Sequence, residues 1–378
     1  MAGQIINRGT RKWLVRVYLG EVDGKRKYHN KTINGNRKDA ERYLHKALLE
    51  RDTTGFIEPS SESLSAYLDR WLKIVVKQRV TAKTYQSYQD IVNTYIKTGL
   101  KDMPLSKLTS ERIQDFYNSL LDKPLSSRTV RYTHSVLRSA LSQAVKWNML
   151  HNNPCNFIDL PKQKKQEMKV LTTSEAYKFM EAIVYSKWKP FFSLLLASGM
   201  RPGEALGLKW MDVDFGERRI QVQRALSKTK AGWKLEDPKT PQSRRSIPIP
   251  PSVMGDLQEH KENQESMKKK DKYNDIGLVF TNDKGEPPDL RSIFVKHFKP
   301  LLKQAELPDI RLYDLRHTCA TLLLSAGVNP KIVAERLGHS SITLTLDTYS
   351  HVLPTMQIDA TEKLENMLFD NKNTKSSV

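Results

Sequence analysis

The sequence predicts a multidomain, mainly helical fold with small β elements, and three observations carry that reading. At 378 residues the chain has room for two or three ordinary domains, each burying its own core. Strand-like alternation is confined to short stretches near the N-terminus and in the middle of the C-terminal half. Elsewhere apolar residues recur at helical spacing. The expected order is a small ββ(β)α domain over residues 1–57, a helical domain over 63–160 and a mixed α+β domain over 170–378. Linkers are expected at 58–62 and 161–169.

The first element rests on Lys12 to Ile33, where aromatic and β-branched residues alternate in short runs broken by Gly20 and Asp23-Gly24. That pattern suits a β-hairpin or a three-stranded sheet. From Asn36 to Glu50, residues Ala40, Tyr43, Leu44, Ala47 and Leu48 fall on one helical face. The following TTGFIEPSSES has linker composition. Residues 63–160 hold four amphipathic stretches, SLSAYLDRWLKIVV, TAKTYQSYQDIVNTYI, TSERIQDFYNSLL and SSRTVRYTHSVLRSALSQAVKWNML. Thr109-Ser110-Glu111 and Ser126-Ser127 are N-cap material, and Gly99, Pro104, Pro124 and Pro154 are expected between helices. The aromatic residues of this region are assigned to core packing. From Thr172 the pattern predicts helices at 174–185, 190–198 and 203–209 and strands near 219–225 and 245–249, with the end helical again: DLRHTCATLLLSAG, PKIVAERLG and SITLTLDTYSHV follow as successive helices or turns. No internal repeat is evident.

Composition narrows the partners. The chain has 62 Lys and Arg against 42 Asp and Glu, a net charge of +20. Such a bias favours a polyanion through phosphate neutralisation and counterion release. The charge is uneven: residues 1–57 carry 13 basic and 6 acidic side chains, and residues 60–166 carry 17 and 8. Nucleic-acid contact is therefore expected from the first two domains. Arg11, Lys12, Arg16, Lys25 and Lys27 are candidates in the first, and Lys83, Arg128, Arg131 and Arg138, on helices or helix starts, in the second. No apolar run approaches the roughly 20 residues of a spanning helix, and the N-terminus does not read as a secretory signal. A cytoplasmic protein without membrane association is the expectation. Cys155 and Cys319 stand far apart without metal-ligand spacing, so both are expected to be reduced, partly buried thiols.

The C-terminal domain contains the parts needed for phosphodiester transfer: cations for the non-bridging oxygens, a nucleophile and an acid for the leaving oxygen. Arg201, in SGMRPGEALGL, precedes a helix on which Glu204 can brace its guanidinium. Alone, an RxxE pair at a helix start is ordinary surface chemistry. Arg316 and His317 lie in LYDLRHTCATLLLSAG, where Leu315, Cys319, Leu322 and Leu323 would mount the helix start rigidly. In LGHSSITLTLDTYSHV, His339 follows a glycine turn and Tyr349 comes ten residues later. A turn and a helix can fold these two into one cluster. No P-loop and no acidic cluster for a two-metal site is present, so neither a nucleotide nor a metal cofactor is expected.

These boxes resemble the tyrosine recombinase family, the phage-type integrases. GMRPGEALGL, YDLRHT, LGHSSI and TYSHV stand in that family's order and spacing. By this resemblance Arg201 is the first arginine, Lys239 the strand-turn lysine, Arg316 the second arginine, His339 the later histidine and Tyr349 the nucleophile. Lys239 is assigned through PKTPQSRRSIPI, although Lys228, Lys230 and Lys234 also lie where a turn could bring them to a leaving oxygen. A lysine suits general-acid work there. Glu204 and Asp314 are given supporting roles. The resemblance covers nearly the whole chain: residues 63–160 are similar to the family's helical core-binding domain, and 5–57 to the arm-binding domain of integrases from mobile elements. It implies a 3′-phosphotyrosine intermediate and four protomers on two duplexes. It implies core-type and arm-type DNA sites, integration and excision of a mobile element, and accessory bending or directionality factors. TMQIDATEKLENML has helical periodicity and could pack on a neighbouring protomer or on its own domain.

One position departs from the family pattern. Tyr313 stands where the family usually has the histidine of His-x-x-Arg. Its hydroxyl can donate to phosphate but cannot replace an imidazole as general base near neutrality. His339 becomes the better candidate to accept the Tyr349 proton, with His317 and His351 read as structural. Two rival classes share parts of this description. A type IB topoisomerase would use similar chemistry without joining partners, and a DNA-binding regulator would explain the charge but not the Arg-Lys-Arg-His-Tyr set.

Overall fold

The computed structural model describes residues 3–22, 24–54, 61–163, 168–229, 232–237, 241–269, 273–349, 361–362 and 364–369. The chain divides into two compact units, residues 1–165 and 166–378. Among the described residues, no helix is long and apolar enough to cross a membrane.

The first unit opens with an antiparallel meander of β1 (Gly3–Gly9), β2 (Lys12–Val22) and β3 (Lys25–Asn34). The sheet is three-stranded, but its first strand lies before Lys12, in a segment too short in apolar residues to announce itself. Helix α1 (Arg37–Thr54) follows. Its start is fixed reciprocally: the Asp39 carboxylate accepts from the Asn36 backbone N–H, and the Asn36 side-chain oxygen accepts from the Asp39 N–H. Val15 and Val17, on one face of β2, bury against Ala40 and Ala47 of α1, which leaves Arg16 and Tyr18 on the opposite face.

The remainder of this unit is helical and has its own core. Helix α2 (Leu64–Trp71) runs through a π-helical turn (Leu72–Val76) into α3 (Lys77–Arg79). Helix α4 (Ala82–Ile91) does the same through Val92–Ile96 into α5 (Lys97–Leu100). Then come α6 (Ser110–Leu121) and α7 (Ser127–Lys146). Ser63, Thr81, Thr109 and Ser126 each accept a backbone N–H of the first turn through their side-chain oxygens. Tyr67, Trp71 and Tyr117 are buried, as core packing requires. Gly99 lies inside α5, not between helices. Its α-carbon faces the Phe116 ring, and the chain leaves the helix at Lys101, which has φ 57°.

The second unit holds the largest core. Helices α8 (Thr173–Ala182), α9 (Lys189–Ser198) and α10 (Pro202–Leu206) lead to a sheet ordered β4-β5-β8, formed by β4 (Val213–Asp214), β5 (Arg219–Val222) and β8 (Arg245–Pro248). Between β5 and β8 the chain forms a separate hairpin of β6 (Ala225–Thr229) and β7 (Gly232–Glu236). Lys228 and Lys234 therefore stand on paired strands rather than in an open turn. Helix α11 (Pro251–Lys268) was not expected from the sequence. Nor were α12 (Leu290–Ile293) and α13 (Lys299–Gln304), which flank a π-helical turn. Then α14 (Asp314–Ser325), α15 (Pro330–Leu337) and α16 (Ile342–Tyr349) follow as expected. Cys155 and Cys319 are both free and buried. Of the C-terminal TMQIDATEKLENML, residues 361–362 and 364–368 are helical, with Leu364, Met367 and Leu368 exposed; the rest lies outside the described residues.

Candidate active site

Two left-handed glycine caps deliver residues to the site. Helix α9 ends at Gly199, φ 68°, which turns the chain so that Arg201 heads α10. Helix α15 ends at Gly338, also φ 68°, which delivers His339. A Cβ on Gly199 would meet Leu337 at 2.6 Å, and one on Gly338 would meet Arg245 Nη1 at 2.9 Å. Both positions require glycine for conformation and for space.

The Arg201 guanidinium donates from Nη1 to Glu204 Oε1 at 2.6 Å, and its backbone N–H donates to Oε2 at 3.0 Å. Glu204 is buried and also accepts from Arg245 Nη2 at 2.9 Å. Burial alone would push this carboxyl up, but the Arg245 and Arg201 cations hold it below the usual carboxylate range. Arg245 donates further to Arg336 O at 2.6 Å and Ser243 O at 3.0 Å. One guanidinium thus joins the Arg201 turn, the start of β8 and the end of α15. Sequence reasoning did not single out Arg245. The available signal was its register: it precedes buried Ile247 by two residues on β8, and a charge on the inward face of a strand needs a buried partner.

Helix α14 mounts the second arginine. Asp314 is buried, accepts from the Arg311 backbone N–H at 2.7 Å and pairs with its guanidinium at 2.7 Å. It braces Arg311 and the helix start rather than Arg316. Arg316 is 1% exposed. Its Nη1 donates to Gly199 O at 2.7 Å, while Nη2 is buried without a partner among the described residues. Burial and the neighbouring Arg201 cation draw this guanidinium down to about 10, still charged at neutrality. His339 Nδ1 lies 2.7 Å from Thr345 Oγ1. Burial, Arg316 and Arg201 depress its imidazole to about 4. Tyr349 is 1% exposed and packs against Ala320, Leu324, Val333 and Leu337. Its hydroxyl lies 2.9 Å from His317 Nδ1. Burial raises this phenol, with Arg316 pulling the other way. Tyr313 is 40% exposed, with its ring against His317. The arginines, His339 and Tyr349 therefore share one electrostatic neighbourhood.

Lys239 and His351 lie outside the described residues, as does Lys230. Lys228 pairs with Asp289 at 3.1 Å and sits over the Trp233 ring. Lys234 is exposed on β7.

The chain matches the phage integrase family over residues 169–356, a span from before Arg201 to beyond Tyr349, and the SAM-like N-terminal domain of phage integrases over residues 63–121. It is 30% identical over 383 residues to the tyrosine recombinase XerC-like protein of Caldanaerobacter subterraneus subsp. tengcongensis, covering 96% of this chain and 98% of that relative. This chain belongs to the phage integrase family. It is a tyrosine-type site-specific recombinase. It is also 29% identical to the ICEBs1 integrase of Bacillus subtilis, across 75% of this chain and 78% of that one. In fold this integrase is similar to the Tn1549 transposon integrase bound to a circular intermediate DNA. There the TM-score is 0.67 at 24% identity, covering 76% of this chain and 95% of the other. A lambda integrase dimer on a core site gives a TM-score of 0.58 at 21% identity, covering 76% and 95%.

The candidate DNA contacts of the recombinase are differently placed. Arg11, in the β1–β2 turn with φ 58°, and Lys12, Lys25 and Lys27 on the strands are exposed. Arg16 is half-buried, donates to Asn30 Oδ1 at 2.9 Å and lies over the Tyr28 ring. With Gln4, Tyr18 and Arg26 it lines a polar cavity of about 500 Å³. Lys83 and Arg128 are exposed in the first turns of α4 and α7. Arg131 Nη1 donates to Pro161 O at 2.8 Å and Arg138 Nε to Asn156 Oδ1 at 3.0 Å. These two also tie down the chain that leaves the helical bundle.

Proposed function

We propose that this integrase cuts and rejoins double-stranded DNA at defined attachment sites through a 3′-phosphotyrosine on Tyr349. The observation that carries the reading is the buried Arg316 guanidinium. It has an unpartnered Nη2, pairs with no carboxylate among the described residues and sits within reach of the Arg201 charge. Two cations held together in this way call for an anion, and a scissile phosphate supplies it. Arg201 and Arg316 neutralise the non-bridging oxygens, with Glu204, Arg245 and Asp314 fixing their mounts. His339 adds a donor once the phosphate offsets the cations around it, and Tyr313 supplies a hydroxyl. Tyr349 Oη attacks phosphorus, and the 5′ oxygen leaves with a proton from Lys239. A 5′ hydroxyl of another strand then reverses the step, so phosphodiester energy is conserved without nucleotide or metal.

The same reading assigns residues 1–57 to arm-type DNA, 63–160 to core-type DNA and 170–378 to catalysis, with 58–62 and 161–169 as tethers. The exposed cations of the first sheet and the helix starts serve phosphate contact. Four protomers act together, as in the lambda integrase tetramer bound to a Holliday junction. The biological outcome is integration and excision of a mobile element, with accessory factors setting direction, in the cytoplasm.

The test is a nicked suicide duplex carrying the attachment site, incubated without metal or nucleotide and resolved on a denaturing gel. Wild type is expected to give a covalent adduct and Tyr349→Phe none. Tight binding of a verified site without any adduct would favour the regulator reading. Adducts that relax supercoils but never join two sites would favour a topoisomerase.

A further inference from the structure

Tyr313 leaves the recombinase without an imidazole at the usual position, yet the nucleophile still has one beside it. Tyr313 and His317 are four residues apart at the start of α14, so they share a helix face, and their rings meet at 5.3 Å between centroids. From that face His317 Nδ1 reaches the Tyr349 hydroxyl at 2.9 Å. His339 instead has its Nδ1 on Thr345. We propose that His317 is the general base for Tyr349, acting from one helical turn beyond the position the family motif uses. The inference rests on the reading that Tyr349 is the nucleophile.

The step balances. In the tautomer with the proton on Nε2, Nδ1 accepts from the phenol. As Oη bonds to phosphorus the O–H proton moves to Nδ1, the bond to the 5′ oxygen breaks, and that oxygen takes its proton from Lys239. In the rejoining step a 5′ hydroxyl attacks phosphorus and returns its proton to Lys239, the bond to Oη breaks, and the imidazolium returns its proton to Oη. The surroundings suit this role. Asp314, Arg316, Arg311 and Tyr313 face His317 from its own helix and the preceding turn, Tyr349 from α16, and His339 from the turn before α16. Burial together with Arg316 and Arg311 outweighs Asp314 and keeps the imidazole below its usual range, hence neutral and able to accept near pH 7. Burial meanwhile raises the phenol, so it does not ionise unaided.

The experiment follows single-turnover adduct formation on the nicked duplex between pH 5.5 and 8.5 for wild type, His317→Gln, His317→Asn and His339→Gln. Binding of intact duplex and the Tm of each variant are measured alongside. His317→Asn keeps an acceptor close to the place of Nδ1, so the two substitutions do not share one folding risk. Loss of a positioned base is expected to slow adduct formation about 100-fold or more, with DNA affinity kept and the acid limb of the pH profile removed. A duplex with a 5′-bridging sulfur, whose thiolate leaves without an acid, is expected to rescue Lys239→Ala and not His317→Gln. The proposal is overturned by a near-wild-type rate in both His317 variants, by an acid limb that survives in them, by sulfur rescue of His317→Gln, or by His339→Gln being the variant that loses the limb. Failure of the parent reading looks different: wild type would form no adduct, or Tyr349→Phe would still form one.

Discussion

His339 is buried beside cations, and the stability of the integrase is therefore expected to depend on pH. Its folded imidazole lies near 4, against 6.5 for the free side chain, because of burial, Arg316, Arg201, His317 and Arg245. Between those values the unfolded chain binds the proton and the folded one does not. The folded state is therefore favoured above about pH 6.5, and that contribution is lost progressively as the pH falls towards 4. His317 and His260, both depressed chiefly by burial, act in the same direction. Thermal melts between pH 7.5 and 4.5 are expected to show a falling Tm in wild type and a shallower fall in His339→Gln. Equal slopes would mean that His339 is not held neutral in the free protein. A phosphate bound between the arginines opposes the depression, so cognate DNA is expected to flatten the wild-type curve as well.

At the scale of elements, close approach decides more than propensity. The ring of Phe116 on α6 packs onto the α-carbon of Gly99 on α5, where a Cβ would stand 2.2 Å from the ring. The ring is buried, so it has no open space to move into. Gly99→Ala improves helix propensity by about 1 kcal/mol, yet overpacking in a closed core costs roughly 1–3 kcal/mol. A net loss in stability is expected, read as a lower denaturant midpoint; a gain would show that α5 and α6 separate freely. Gly99 also marks what the sequence does and does not disclose. The four long helical segments of the first unit were legible because their caps and apolar stripes are local. The role of Gly99 was not, because it depends on a ring that lies elsewhere in the chain. Helix α11 concealed itself for a similar reason: its apolar Val253, Met254 and Leu257 occupy only the first two turns, and further on it buries Gln264. In the site, the motifs pointed to Arg201, Arg316, His339 and Tyr349. The contacts of Arg245 with Glu204, 41 residues apart, and of His317 with Tyr349, 32 apart, arise only in the folded chain.

At the scale of the whole molecule the governing quantity is charge. Of the net +20, residues 1–57 hold +7 and residues 60–166 hold +9, which leaves little for the domain with the catalytic boxes. If phosphate contact accounts for this distribution, binding is driven mainly by counterions released from the first two domains. A recombinase touching 6–10 phosphates would lose about 10³–10⁵ in affinity between 50 and 200 mM salt, with a log–log slope near −0.9 per phosphate. Lys83→Ala and Arg128→Ala, both at exposed helix starts, are each expected to make that slope shallower by about 1. Arg131→Ala and Arg138→Ala are expected to lower Tm as well, because those side chains also hold Pro161 and Asn156. The measurement is a salt titration of binding to one attachment-site duplex for wild type and the four variants. A wild-type slope near zero, or slopes unchanged by Lys83→Ala and Arg128→Ala, would move the DNA contacts away from the helix starts of the second domain and leave its charge to some other anionic surface.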